Sequence, residues 1–169
     1  MNRSHIIGLG MYVPENVVTN DDLTSVIETS DEWIVERTGI KERRHILKGD
    51  GNTTASMGVK AAKIAIERAN INKNEIDLIL FATLSPDYYF PGSGVLVQKL
   101  LEIDTCPAMD IRNQCSGFIY ALSTADQFIK TGMYKNVLVI GSENHSGGLD
   151  MTTRGRNVSV IFGDGAGAA

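Results

Sequence analysis

As a thiolate, cysteine is the strongest nucleophile among the side chains near neutral pH, and this chain has two cysteines, Cys106 and Cys115. They bracket the segment Cys106-Pro107-Ala108-Met109-Asp110-Ile111-Arg112-Asn113-Gln114-Cys115-Ser116-Gly117-Phe118. It reads as a strand, a very short connection and a helix opening at Cys115. A helix N-terminus presents unpaired N–H groups and about half a positive charge, which favours a thiolate. The same N–H groups can stabilise a tetrahedral oxyanion. Gly117 permits close approach of other backbone or of a substrate. Cys106 precedes a proline at a strand start, has no helix to polarise it, and fits a buried structural thiol. Position alone leaves Cys115 between a catalytic nucleophile and a second structural cysteine.

Other chemistries find less support. Gly8-Leu9-Gly10 follows a strand-like segment, but Met11-Tyr12-Val13-Pro14 stands where a phosphate-binding helix would begin, and no third glycine has the required spacing. These glycines read as a turn. Gly163-Asp164-Gly165-Ala166-Gly167 lacks the Gly-Lys-Ser/Thr end of a phosphate loop. His5, His45 and His145 are scattered with no metal-ligand spacing, so no metal is expected. The run Lys41-Glu42-Arg43-Arg44-His45 reads as a solvated face; beside Trp33 and Arg37 the alternative is a hold on an anionic ligand.

The elements that must position these residues follow from hydrophobic periodicity. Strands are expected at His5–Leu9, Ile76–Thr83, Pro107–Ile111, Val137–Ile140 and Val158–Phe162, the middle ones as continuous apolar runs covered on both faces. Asn20 is expected to cap a helix through Asp21-Asp22-Leu23, and Ser30 one through Asp31-Glu32-Trp33. A third helix runs from Thr53 to about Asn70, a fourth lies near Gly94–Leu101, and a fifth spans roughly Cys115–Lys130. Strands alternating with helices imply an α/β fold with a largely parallel sheet. The third and fifth helices are apolar around most of their circumference, so each needs cover on more than one side. Phe162-Gly163-Asp164-Gly165-Ala166 reads as the bend of a hairpin whose return strand has just begun. The expectation is an N-terminal part of a longer protein, with the covering layer in the remainder.

The 169 residues are 43% hydrophobic and 21% charged, within ordinary globular usage, and the net charge is −4. Disordered, collagenous and coiled-coil classes are excluded, and a general affinity for nucleic acid is not expected. The longest apolar runs are too short to span a bilayer. Two cysteines nine residues apart make no disulfide framework or zinc site. The first residues carry no signal-peptide core, and a soluble, cytoplasmic domain is expected.

At Asp110–Phe118 and several other places the sequence resembles β-ketoacyl-[acyl carrier protein] synthase III, the initiating condensing enzyme of the thiolase-like superfamily. The landmarks are Gly8-Leu9-Gly10-Met11-Tyr12-Val13-Pro14, Thr29-Ser30-Asp31-Glu32-Trp33-Ile34, Arg37-Thr38-Gly39-Ile40 with Glu42-Arg43, Gly141-Ser142, and Phe162-Gly163-Asp164-Gly165-Ala166-Gly167. The resemblance implies the N-terminal half of a five-layer αβαβα thiolase-like fold, residues 1–169 forming one half-domain with the C-terminal half absent. It implies that Cys115 takes an acyl group from acyl-CoA, and that malonyl-acyl carrier protein then loses carbon dioxide and attacks the thioester. Trp33 matches the residue that stacks on the adenine of CoA, with Arg37 and Arg154 around the nucleotide end and Thr29 beside them. Phe90 matches an aromatic that reaches across a homodimer interface towards the partner's acyl pocket, and Phe162 matches an aromatic that lines the acyl pocket before the Gly-Asp-Gly turn. His145 falls near a pocket position that is often apolar in the family. The implied partners are acyl-CoA, acyl carrier protein and a second copy of the chain, and no cofactor is expected beyond CoA as substrate. The histidine and asparagine that assist decarboxylation belong to the absent half, so residues 1–169 alone are not expected to condense malonyl groups. Rival readings are a thiolase-superfamily acyltransferase without decarboxylation and a non-catalytic partner subunit. Against the family pattern that the resemblance implies, Arg112-Asn113-Gln114 stands where many members carry small residues, and two extra residues lie between Arg154 and Phe162. These departures and His145 point to a starter other than acetyl, or to a specialised lipid or polyketide pathway.

Overall fold

The computed structural model describes residues 3–103 and 106–169. In chain order, the described residues form β1 (Gly10–Tyr12), β2 (Val17–Thr19), α1 (Asn20–Thr24), α2 (Asp31–Thr38), β3 (Glu42–Arg44), α3 (Thr54–Ala69), β4 (Leu78–Ala82) and α4 (Ser93–Leu101). There follow β5 (Ala108–Ile111), α5 (Gly117–Thr131), β6 (Val137–Glu143), α6 (Arg156–Ser159) and β7 (Gly165–Ala168). The chain divides into two compact units. One comprises the described residues up to Tyr12 with Thr53–Glu143 and Gly165–Ala169; the other comprises Val13–Asn52 and Asn144–Asp164.

The first unit is built on a five-stranded sheet in the order β1-β7-β6-β4-β5. β4 runs parallel to β5 and β6, and β7 runs antiparallel to β6 and β1. All five residues of β4 are buried. Ile79 and Phe81 join a cluster with Val59, Ala62 and Val97, whereas Leu78, Leu80 and Ala82 join Ala121 and Ala125. The period-2 alternation of a strand thus sends alternate side chains to α3 and α4 on one face and to α5 on the other.

Helix starts are fixed by local chemistry. Thr53 caps α3 in a reciprocal box with Ser56, and Asp87 accepts from the Thr54 and Ala55 amides at 2.9 and 2.8 Å. Asp110 of β5 likewise accepts from the Ser93 and Gly94 amides at the start of α4, both at 2.7 Å. α3 ends where expected, with Asn70 in the left-handed conformation at φ 53°.

The second unit holds the two-stranded antiparallel ribbon β2–β3 and the short helices α1, α2 and α6. Its core is Leu23, Ile34 and Val160, with Val18, Trp33 and Met151 packed against them. Ser30 caps α2 through the Trp33 amide, and Gly39 closes it at φ 71°.

Four local expectations are corrected. Residues 5–9 form no strand; β1 begins only at Gly10. Gly8 and Gly10 make no turn but let extended chain press against α3, since a Cβ on either would sit about 2 Å from the Ala65 or Ala61 carbonyl oxygen. Thr19, not Asn20, caps α1, because its hydroxyl reaches the Asp22 amide while Asn20 is turned inwards. Val158–Phe162 is not a strand: Arg156–Ser159 is helical, so β7 has no hairpin partner just before it and pairs with β6 and β1. α5 keeps the apolar excess noted in the sequence, with Ala121 and Ala125 buried but Ile119 and Tyr120 exposed. Among the described residues, no helix is long and apolar enough to cross a membrane.

Candidate active site

Cys115 lies beyond the C-terminal end of β5, in a single 3-10 turn, Gln114–Ser116, that leads into α5. The helix opens at Gly117, two residues later than expected. The turn is tight enough to force Gln114 to φ 23°, a left-handed value that costs a non-glycine residue about 1–3 kcal/mol and is typical of functional turns. The result is an exposed Cys115. Gly117 is buried, and a Cβ there would stand 3.3 Å from the Ala82 Cβ, so its lack of a side chain lets the start of α5 settle on the end of β4. No side chain caps α5, and its first turn holds no acidic residue. The Gly117 amide is taken by the Gln114 carbonyl, and the positive end of the helix lies beside the sulfur.

Cys106 is the opposite case. It is buried, its Sγ lies 3.2 Å from the Pro107 carbonyl oxygen, and burial pushes its thiol up to about 11. It is a packing residue, as expected from its place before Pro107.

The parallel strands β4, β5 and β6 end at one edge of the sheet, the usual location of sites in open α/β folds. There Glu143, the last residue of β6, accepts from the Leu84 amide at 2.8 Å and from the Ser85 amide at 3.1 Å. It also accepts from the Thr83 and Ser85 hydroxyls. This carboxylate fixes the chain leaving β4, which goes on to the exposed Tyr88, Tyr89 and Phe90. Glu143 belongs to no motif, and its one signal in the sequence is an acidic residue ending an otherwise apolar strand.

Within the second unit, Trp33 sits on α2 with Arg37 one turn later, the Arg37 guanidinium carbon 4.5 Å from the indole centroid. A second guanidinium stands at the same 4.5 Å, and it belongs to Arg156, not to Arg154. Arg156 is steadied by a bond from its Nη1 to the Glu28 carbonyl at 3.0 Å. Arg154 instead donates to Asp150 at 2.7 Å, its side chain 89% exposed. The Thr29 hydroxyl oxygen is buried with no hydrogen-bond partner.

His145 and Phe162 are brought together, ring centroids 4.8 Å apart. They are anchored through Asp164, whose buried carboxylate accepts from the amides of Ile46 at 2.7 Å and of His145 and Ser146 at 2.8 Å, and from the Ser146 hydroxyl. Phe90 stands 92% exposed in the other unit.

Residues 109–169 match the family model described as 3-Oxoacyl-[acyl-carrier-protein (ACP)] synthase III. The β-ketoacyl-[acyl-carrier-protein] synthase III of Ehrlichia canis is 55% identical over 168 residues, 99% of this chain and 51% of the relative. The crystal structure of 3-oxoacyl-[acyl-carrier-protein] synthase III from Aquifex aeolicus superposes with a TM-score of 0.92 at 52% identity, covering 96% of this chain and 51% of that one. The priming β-ketosynthase of the R1128 polyketide biosynthetic pathway gives a TM-score of 0.91 at 35% identity, covering 97% and 48%. The chain thus spans about half the length of the curated relatives it matches. By sequence and by its thiolase-like α/β fold, the chain is similar over nearly its whole length to about half of β-ketoacyl-[acyl-carrier-protein] synthase III.

Proposed function

We propose that the protein supplies the nucleophile and the nucleotide-binding platform of a decarboxylating condensing enzyme. Cys115 attacks the carbonyl carbon of an acyl-CoA, the carbon–sulfur bond to CoA breaks, and CoA leaves with a proton as the enzyme thioester forms. In the second half-reaction, malonyl-acyl carrier protein loses carbon dioxide and its carbanion displaces Cys115, giving the β-ketoacyl product. The observation that carries this reading is the exposed Cys115 on its strained turn, ahead of a helix whose first amides no side chain caps. Those amides are suited to the oxyanion of the tetrahedral intermediate.

Trp33, Arg37 and Arg156 offer an aromatic face and two guanidinium groups to the adenine and phosphates of CoA, with the Thr29 hydroxyl beside α2. Phe162 and His145 form one wall for the acyl group, and an imidazole at a position often apolar in the family favours a starter other than plain acetyl. Phe90 reaches towards a second copy of the chain in a homodimer. The product enters fatty acid synthesis or a related lipid or polyketide route in the cytoplasm.

Intact-mass measurement after incubation with a panel of acyl-CoAs, beside Cys115→Ser, tests this. The expected result is a gain of one acyl group, lost in the variant, with the best donor naming the starter. No adduct from any acyl-CoA would overturn acyl-CoA as the donor, and an adduct surviving in Cys115→Ser would overturn the assignment of the nucleophile.

A further inference from the structure

Arg43 is only 6% exposed, and the acceptors around its guanidinium are neutral. Its Nη1 donates to the Val18 carbonyl at 3.2 Å, and its Nη2 donates to the Asn20 Oδ1 at 2.7 Å and to the Val160 carbonyl at 3.0 Å. Its Nε has no hydrogen-bond partner. A buried guanidinium solvated by carbonyls alone is a costly way to hold a small unit together, because desolvation of the charge is offset only by dipoles. What those dipoles belong to explains its presence.

Asn20, 1% exposed, is gripped by Arg43 through its oxygen and uses its Nδ2 on both ends of α2. It donates to Asp31 Oδ1, in the first residue of the helix, at 2.7 Å, and to the carbonyl of Ile40, just past the closing Gly39, at 2.8 Å. Val160, the other acceptor, is the residue that caps the C-terminus of α6, the helix that begins with Arg156. One guanidinium therefore ties α2, which carries Trp33 and Arg37, to α6, which carries Arg156.

We propose that Arg43 is a positioning residue for the nucleotide end of acyl-CoA, setting Arg156 against Trp33 through Asn20 and Val160. The inference rests on the reading of Trp33 and Arg156 as the CoA platform. Arg43 touches no ligand itself; it acts by holding two short helices that could not keep their relative placement alone. α6 has four residues and α2 eight, both far below the length at which a helix is stable without tertiary support.

The test is calorimetric titration with CoA of the wild type, Arg43→Met, Asp31→Ala and Trp33→Ala, with circular dichroism as the check on folding. Methionine keeps much of the volume and removes the donors; Asp31 is exposed, so its truncation breaks the relay without opening the core. Trp33 is the only tryptophan of the chain, so its emission reports the placement of the guanidiniums. The expected result is CoA binding about tenfold weaker in Arg43→Met and several-fold weaker in Asp31→Ala, with a shift in Trp33 emission in both. Wild-type affinity and emission in a folded Arg43→Met, or in Asp31→Ala should Arg43→Met not fold, would overturn the positioning role. Should Trp33→Ala bind CoA like the wild type, or the wild type not bind it, the platform reading fails and this inference with it.

Discussion

The guanidinium carbon of Arg156 stands 4.5 Å from the centre of the Trp33 indole, while Arg154, two residues earlier, is turned to the carboxylate of Asp150. The two arginines share a segment and a charge but not a task. One is held over an aromatic face and pinned to the Glu28 carbonyl; the other is a solvent-exposed ion pair. An exposed pair of that kind is screened by solvent and contributes little, whereas a cation–π contact gains as it is withdrawn from water.

The first prediction follows. Arg156→Ala weakens CoA binding by several-fold to about tenfold, and Arg154→Ala changes it by about twofold or less. Titration of both variants with CoA checks this, and equal losses in the two would contradict the assignment.

Cys106 gives a pH dependence with a definite sign. Its folded-state thiol is raised to about 11 by burial, whereas an unfolded thiol titrates near about 8.5. Its contribution to stability is complete below about pH 8.5 and is lost as the pH rises towards about 11, because the unfolded chain releases the proton first. The thermal midpoint is expected to fall less steeply over that window in Cys106→Ala than in the wild type, whatever the absolute stability of the variant. Alkylation tells the same story by another route: Cys115 reacts in the folded protein, and Cys106 reacts only on unfolding.

Gly10→Ala tests the packing of β1 on α3. The new Cβ would lie 2.0 Å from the Ala61 carbonyl oxygen, a backbone atom that cannot rotate away. A loss of about 2 kcal/mol or more is expected, read from denaturant or thermal unfolding. A variant as stable as the wild type would show that the glycine serves chain flexibility only.

Much of the first unit was legible because its information is local. The apolar runs of β4 and β6, Thr53 and Ser30 as helix caps and Asn70 as a stop depend on neighbours a few residues away, and the structure has them where the pattern places them; β5 stands at its expected place too, but with Met109 and Asp110 exposed rather than covered on both faces. The same holds for the strand–turn–helix around Cys115 and for the inert Cys106. The errors fall where long-range contacts outweigh local preference. Asn20 looks like a cap, yet its side chain serves Asp31, Ile40 and Arg43. Val158–Phe162 has the composition of a strand, but Arg156–Ser159 coils into α6, its end held by Arg43 from residues far away in sequence. Gly8 and Gly10 look like a turn because the α3 residues that require them, Ala65 and Ala61, lie more than fifty residues further along the chain.

By itself, then, the sequence determined the α/β class and the resemblance to β-ketoacyl-[acyl-carrier-protein] synthase III and singled out Cys115 as the candidate nucleophile, since each is written in short strings such as Gln114-Cys115-Ser116-Gly117 and Arg37-Thr38-Gly39-Ile40. Only the tertiary structure decided which arginine stands over Trp33, that Arg43 is buried when its basic neighbours suggest a solvated face, and that Glu143 and Asp164 organise the loops around them. The reason is physical: a side chain's partner across a hundred residues is set by how the chain folds back on itself, and residue type and spacing carry almost no record of it.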